Sequence, residues 1–186
     1  MANKDAAFGL KAIGKVGQNR DNQGLSEYDI AASATAIYQN DPVKMLATGT
    51  IGVAAAGDVL LGPLNGVFFT DASTSKPTYA NHLEASNTAT DIVGFVADDP
   101  YERFEVQSAG TPAQTNIGNC ADISYTAGAS PNYVSKVEIS GTMAAGTAQL
   151  KIIGVSRDPD NNELGSANTN LIVSINEHFL KATAGI

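Results

Sequence analysis

The acidic residues of one short loop are the side chains best suited to bind a metal ion in this sequence. Asp158, Asp160 and Glu163 share this loop with Asn161 and Asn162, and clustered oxygen ligands of this kind can bind Ca²⁺. The loop lacks the EF-hand spacing and its central glycine. Asp and Asn also cap their own backbone in turns. A solvated hairpin turn is therefore the favoured interpretation, and a calcium site stays an open alternative.

The remaining residues with catalytic or ligating chemistry are scattered. His82 and His178 are far apart, and neither has a His or Cys at metal-ligand spacing, so a surface or capping role is favoured for both. Cys120 is the single cysteine, which excludes an internal disulfide and favours a small, partly buried side chain. Asp98 and Asp99 are adjacent, so on a strand they point to opposite faces and are interpreted as turn formers.

Known catalytic motifs are also absent from the sequence. We find no nucleophile elbow, no phosphate-binding glycine loop, no dinucleotide fingerprint and no zinc-protease motif. We therefore predict that the protein is not an enzyme and that it uses no cofactor and no metal.

Composition narrows the classes of partner. The net charge is −8, and a nucleic-acid binder needs an excess of Lys and Arg to replace the counterions of the phosphate backbone. No apolar run approaches the roughly 18 residues of a membrane helix. Neither nucleic acid nor a membrane is expected as a partner.

The pattern along the chain predicts an all-β fold, a compact β-barrel or β-sandwich of short antiparallel strands. Short apolar runs alternate with turn signals, and proline residues mark several run boundaries. Two hairpins are predicted, one within residues 91–107 and one that joins residues 149–155 to 171–176. Residues 71–90, rich in Ser, Thr and Asn, are predicted to form a long surface loop with a binding or assembly role. The candidate strands are Glu27–Ala31, Ala36–Gln39, Val43–Ala47, Gly66–Thr70, Asp91–Ala97, Glu102–Gln107, Val134–Ile139, Gln149–Val155 and Leu171–Asn176.

The first 25 residues differ from the rest and are predicted to form an extended N-terminal arm on a β-rich body of residues 26–186. They carry a charge of +2, against −10 for the remainder, and show neither helix nor strand periodicity. Their apolar residues suit an arm that becomes ordered against a partner, and a disordered tail stays an open alternative. The candidate contact residues are Phe8, Leu10, Lys11, Ile13, Lys15, Val16 and Arg20.

Several segments resemble a family of virion structural proteins encoded beside the capsid genes of tailed phages. They read GLKAIGKVGQN, EYDIAASATAIYQNDPV, GVFFTD, GFVADDPYERFEVQ, LKIIGV and DPDNNELGSANTNLIVSINEH, and together they span nearly the whole chain. The resemblance implies a capsid decoration (cement) protein, made in the host cytoplasm and displayed in many copies on the capsid surface. Its partner would be the major capsid protein, bound by a homo-oligomer, either a trimer or a dimer. The resemblance implies no catalytic residues.

Two alternatives stay open at this point. A tail or head-completion component would belong to the same class of virion proteins, and a small ring-like copy number would distinguish it. A carbohydrate-binding or adhesin-like β module would use exposed aromatics such as Tyr101, Tyr125 and Tyr133. The chain has no Trp and only 6% aromatic residues, which disfavours that module.

Overall fold

Short apolar segments of the chain form thirteen β-strands in a computed structural model that describes residues 2–16 and 24–181. Two single turns of 3-10 helix, Gln114–Asn116 and Phe179–Lys181, are the only helical elements in these two ranges. A membrane-spanning helix is therefore not found among the described residues. The strands are β1 Lys11–Lys15, β2 Ser26–Asp29, β3 Pro42–Met45, β4 Ile51–Val53, β5 Gly62–Thr70, β6 Pro77–Ala80, β7 Val93–Val96, β8 Glu102–Gln107, β9 Cys120–Ala121, β10 Ile123–Ser124, β11 Glu138–Ile139, β12 Leu150–Val155 and β13 Asn170–Ile175.

The strands form two large antiparallel sheets and one small one, which confirms the predicted all-β class and fits a β-sandwich. The first sheet has five strands in the order β1-β8-β13-β12-β9. The second has six strands, with the order β2-β7-β5-β3-β4 and with β6 paired to β5. Strands β10 and β11 form a separate pair.

Each large sheet buries one face in its own hydrophobic core. Phe104, Val106 and Val173 belong to the core of the five-stranded sheet, whereas Val67 and Val96 belong to the core of the six-stranded sheet. All five side chains are at most 1% exposed. In β8, the buried residues Glu102, Phe104 and Val106 alternate with half-buried ones, as the two-residue period of extended backbone requires.

One predicted hairpin is confirmed and the other is wrong. Strands β12 and β13 pair antiparallel, as predicted for residues 149–176. Strands β7 and β8 do not pair: β7 lies between β2 and β5, and β8 lies between β1 and β13. The Asp98-Asp99-Pro100 segment therefore connects one sheet to the other. Local alternation indicates that both flanking segments are strands, but it does not show which strands they pair with.

Residues 2–16 of the predicted N-terminal arm pack onto the body. Strand β1 pairs with β8, and Leu10 has no exposed area. Gly9 has a φ of +76°, and a Cβ there would lie 2.4 Å from the carbonyl oxygen of Asn40. Leu10 thus packs into the chain's own core, and β1 pairs with an edge of the chain's own sheet. Residues 17–23 of the predicted arm lie outside the described ranges.

Candidate interaction surface

Most predicted contact residues of the N-terminal segment are engaged with the chain itself. Leu10 lies in the first core, so it presents no surface to a partner in this conformation. Lys15 forms an ion pair with Asp99, and Lys11 lies 3.9 Å from a carboxylate oxygen of Glu105.

The other predicted contact residues differ in how much surface they expose. The Phe8 side chain is half-buried, and its carbonyl oxygen accepts a hydrogen bond from Asn40. Ile13 and Val16 keep 41% and 47% of their area exposed, and Arg20 lies outside the described residues.

The acidic loop holds the N-terminus instead of presenting an open set of oxygen ligands. Asn161 donates its side-chain amide to the carbonyl oxygen of Lys4 at 2.7 Å, and the Lys4 ammonium pairs with Asp160. Asp158 accepts the backbone N–H of Asp160 at 3.1 Å, as expected of a self-capping turn. No group of three or more metal-ligating side chains occurs among residues 2–16 and 24–181.

The two histidines serve structural contacts. His178 is buried, and its Nδ1 accepts the backbone N–H of Leu180 at 3.1 Å, which confirms a capping role and excludes a surface one. Burial, reinforced by the charge of Lys181, lowers the pKa of His178 to about 4. His82 stacks on Tyr133 with a ring-centroid distance of 3.8 Å.

Two further carboxylates, one buried and one half-buried, accept hydrogen bonds from neighbouring residues. Asp41 has no exposed area, and its Oδ2 accepts the backbone N–H of Tyr38 at 2.8 Å. Burial raises the pKa of Asp41 to about 6. Asp98 accepts hydrogen bonds from the hydroxyls of Ser26 and Tyr28. These carboxylates tie strands and turns together.

The outer face of the six-stranded sheet carries three aromatic rings, which we call the aromatic strip: Phe68 on β5, Tyr79 on β6 and Phe95 on β7. The Tyr79 ring lies 4.8 Å from that of Phe68 and 6.4 Å from that of Phe95, between centroids. Tyr79 is 75% exposed, and the two phenylalanines are half-buried. Gly66, opposite Phe95 in the register, leaves this part of the face without a side chain.

Two carboxylates border the aromatic strip on β2. Glu27 lies opposite Phe95 in the register, and Asp29 lies opposite Val93. Both side chains are exposed. We call Glu27 and Asp29 the acidic border. Paired residues of an antiparallel ladder project to the same face, so strip and border form one continuous surface.

Sequence reasoning did not find Tyr79, because it lies inside the predicted loop of residues 71–90. The polar composition of that loop hid the short strand Pro77–Ala80, whose alternation of exposed and half-buried residues is the only local signal. The candidate sugar-stacking tyrosines of the sequence make no ring contact with one another in the described part of the chain: these are Tyr101, Tyr125 and Tyr133.

Comparison with known proteins adds no relative: no protein-family model, curated protein or solved structure matches this chain. The exposed face of the six-stranded sheet is the candidate interaction surface of the described residues. Within that surface, the aromatic strip is the feature that a folded domain does not need for its own core.

Proposed function

We propose that this protein is a capsid decoration protein of a tailed phage, which binds the assembled lattice of the major capsid protein and stabilises the head without catalysing a reaction. The virion role comes from the sequence resemblance. The observation that carries the binding role is the aromatic strip, in which Tyr79 keeps 75% of its area exposed. Exposed aromatic residues grouped on a rigid face are typical of protein-binding surfaces.

The described fold suits attachment to a repeating lattice. A decoration protein meets the same partner surface many times, so a modest contact per subunit gives strong overall attachment when subunits are joined. We propose a homodimer or homotrimer for this reason. Strands β1 and β2 lie at the ends of their sheets, and a neighbouring subunit that covers such an edge would protect its free backbone groups.

The test is binding to capsids of the phage that encodes the chain. Tagged protein is mixed with shells assembled from that phage's major capsid protein and sedimented through a gradient, and the copies per shell are counted by electron cryomicroscopy. A regular array over the whole lattice, and a higher temperature of shell disruption, support decoration. A small ring at one vertex would assign the chain to a tail or head-completion component, and an absence of binding would overturn the virion role.

A carbohydrate-binding module is the second candidate, because the aromatic strip also favours it. A solvent-facing ring such as Tyr79 can stack on a sugar, and the carboxylates of the acidic border can accept hydrogen bonds from hydroxyl groups. Binding of the purified chain to immobilised polysaccharides, in the absence of any capsid, would support this candidate.

A further inference from the structure

We propose that the aromatic strip and the acidic border together form the capsid-facing surface, and that the partner segment seated there carries apolar side chains next to lysine or arginine residues. The inference rests on the proposed capsid role and assigns to it a surface and a partner chemistry. The occupant is a protein segment of the capsid lattice.

The arrangement of the sheet gives this surface an apolar centre. Tyr79, Phe68, Val93 and Asp29 follow one another across the four strands β6, β5, β7 and β2 in directly paired positions. Phe95 stands in the next row, and Tyr79 leans toward it with ring planes only 16° from parallel. Three of the four positions in the first row are apolar or aromatic, so a partner buries apolar area there.

The strands that carry the aromatic strip pack against the second core with their opposite face. They place Val67, Leu64 and Val96 on this face, where each is at most 1% exposed in the second core. Side chains on such strands lose little conformational freedom when a partner binds, so less of the binding energy is spent on ordering them. A preorganised aromatic face is the kind of surface at which a few residues dominate affinity.

The charges next to the strip indicate a cationic partner. Glu27 and Asp29 are exposed and make no ion pair or side-chain hydrogen bond with any described residue. The chain as a whole carries −8, so its field also attracts a basic surface. Carboxylates at the rim of an apolar contact select a partner with Lys or Arg at matching positions and speed its approach.

Distances across the sheet favour an extended protein segment over a single sugar. Neighbouring strands are about 4.8 Å apart, so β6 and β2 are separated by about 14 Å. The most exposed ring, Tyr79, therefore stands far from the carboxylates of Glu27 and Asp29, with Phe68 and Val93 between them. A segment several residues long spans this surface, whereas a single sugar ring cannot contact both ends.

The predicted N-terminal contacts are a weaker alternative for the same role. Leu10 is buried, and Lys15 is paired with Asp99. Ile13 and Val16 are exposed, but Val16 borders residues 17–23, which lie outside the described ranges. The strip belongs wholly to described strands, and its most exposed ring, Tyr79, keeps 75% of its area free.

The experiment measures binding of the full chain to shells of the major capsid protein at several salt concentrations. Tyr79→Ser removes the exposed ring, and Tyr101→Ser, at a residue 64% exposed elsewhere, is its matched control. Glu27→Gln neutralises one carboxylate of the border, and Glu84→Gln, at another exposed glutamate, is the charge control. Circular dichroism and thermal melting verify that each variant folds.

We expect Tyr79→Ser to weaken binding about tenfold or more, as removal of a central aromatic contact does. Glu27→Gln should weaken binding about threefold at low salt and reduce its dependence on salt, because an exposed charge contributes mainly through steering. Both control variants should bind like the wild type.

The outcomes separate this inference from the proposed function. If the wild type decorates shells and Tyr79→Ser decorates them equally well, the surface assignment is wrong and the capsid role stands. If Tyr79→Ser keeps shell binding but loses binding to polysaccharides, the strip is a glycan platform, and the inference is again overturned. If the wild type fails to bind shells, both proposals fall together.

Discussion

The side-chain amide of Gln149 donates a hydrogen bond to the carbonyl oxygen of Asp58 at 2.7 Å, and so joins the loop before β5 to the start of β12. The same nitrogen reaches the carbonyl oxygen of Ala55 at 2.8 Å, while Oε1 accepts the backbone N–H of Ile123 at 3.0 Å. Gln149 has no exposed area. One buried amide therefore binds three backbone groups, two in the loop before β5 and one in β10.

Replacement of Gln149 by Leu should be among the most damaging single changes. It removes the partner of the buried Ile123 N–H and of the Asp58 carbonyl, whereas the carbonyl of the exposed Ala55 keeps the N–H of Asp58. A buried unsatisfied group costs about 1–3 kcal/mol, so we expect the free energy of unfolding to fall by about 2 kcal/mol in urea titrations followed by circular dichroism. The control is Asn162→Leu, at an exposed position of the acidic loop, which should change stability by less than about 0.5 kcal/mol. Equal effects of the two changes would contradict the bridging role of Gln149.

Leu10→Ala tests whether the N-terminal segment belongs to the packed body. Leu10 is fully buried in the first core, and truncation of such a leucine typically costs about 2–5 kcal/mol. Ile13→Ala, on the same segment but 41% exposed, should cost much less. Chemical denaturation of both variants measures the difference. A Leu10→Ala variant as stable as the wild type would show that the segment is not packed on the body in solution.

Asp41→Asn should change how stability depends on pH. Burial raises the pKa of Asp41 from its usual 3.8 to about 6, so the folded state holds the proton more tightly than the unfolded state does. The wild type therefore loses stability as pH rises from about 4 to about 6, by about 3 kcal/mol at 1.36 kcal/mol per pKa unit. The Asn side chain keeps an oxygen for the Tyr38 N–H and does not titrate. Relative to the wild type, the variant should gain stability over this range and hold a constant difference above it, as denaturation at pH 4, 5, 6 and 7 would show.

His178→Asn should show the opposite dependence in nearly the same pH range. Burial lowers the pKa of His178 from 6.5 to about 4, so protonation favours the unfolded state. As pH falls from about 6.5 to 4, the wild type should lose about 3 kcal/mol relative to the variant, whose amide oxygen can still accept the Leu180 N–H. A difference that does not change with pH would show that His178 is not desolvated in the folded protein.

The Asp41 and His178 contributions oppose each other between about pH 4 and pH 6. Asp41 favours the folded state at the acidic end of this range, and His178 favours it at the neutral end. Their shifts are of similar size, so their combined contribution to the wild type should be nearly flat. The two single variants are therefore needed to reveal either group.

The positions of some strands were predictable because they depend on local alternation, whereas the predicted strand Ala36–Gln39 forms only isolated bridges. The predicted strand Glu102–Gln107 coincides with β8, and the predictions for β12 and β13 differ from the observed bounds by one residue at most at each end. In each case buried residues recur at every second position, and the same period is visible in the sequence as alternating apolar and polar residues. The acidic loop was also correctly interpreted as a turn that caps itself, because Asp158 accepts the N–H of Asp160.

Strand partners and exposed surfaces were decided only by the tertiary structure. Alternation shows that Phe95 and Phe104 occupy strands, but not that β7 and β8 join different sheets. It also does not show that Leu10 fills the body's own core, or that the ring of Tyr79 stands on a sheet face next to Phe95. The sequence by itself determined an acidic, disulfide-free, all-β protein, because composition and local alternation are properties of the chain alone. It did not determine the strand partners, because pairing energies arise between residues that are distant in the chain. Which side chains are left for a partner depends on how its strands are placed beside one another.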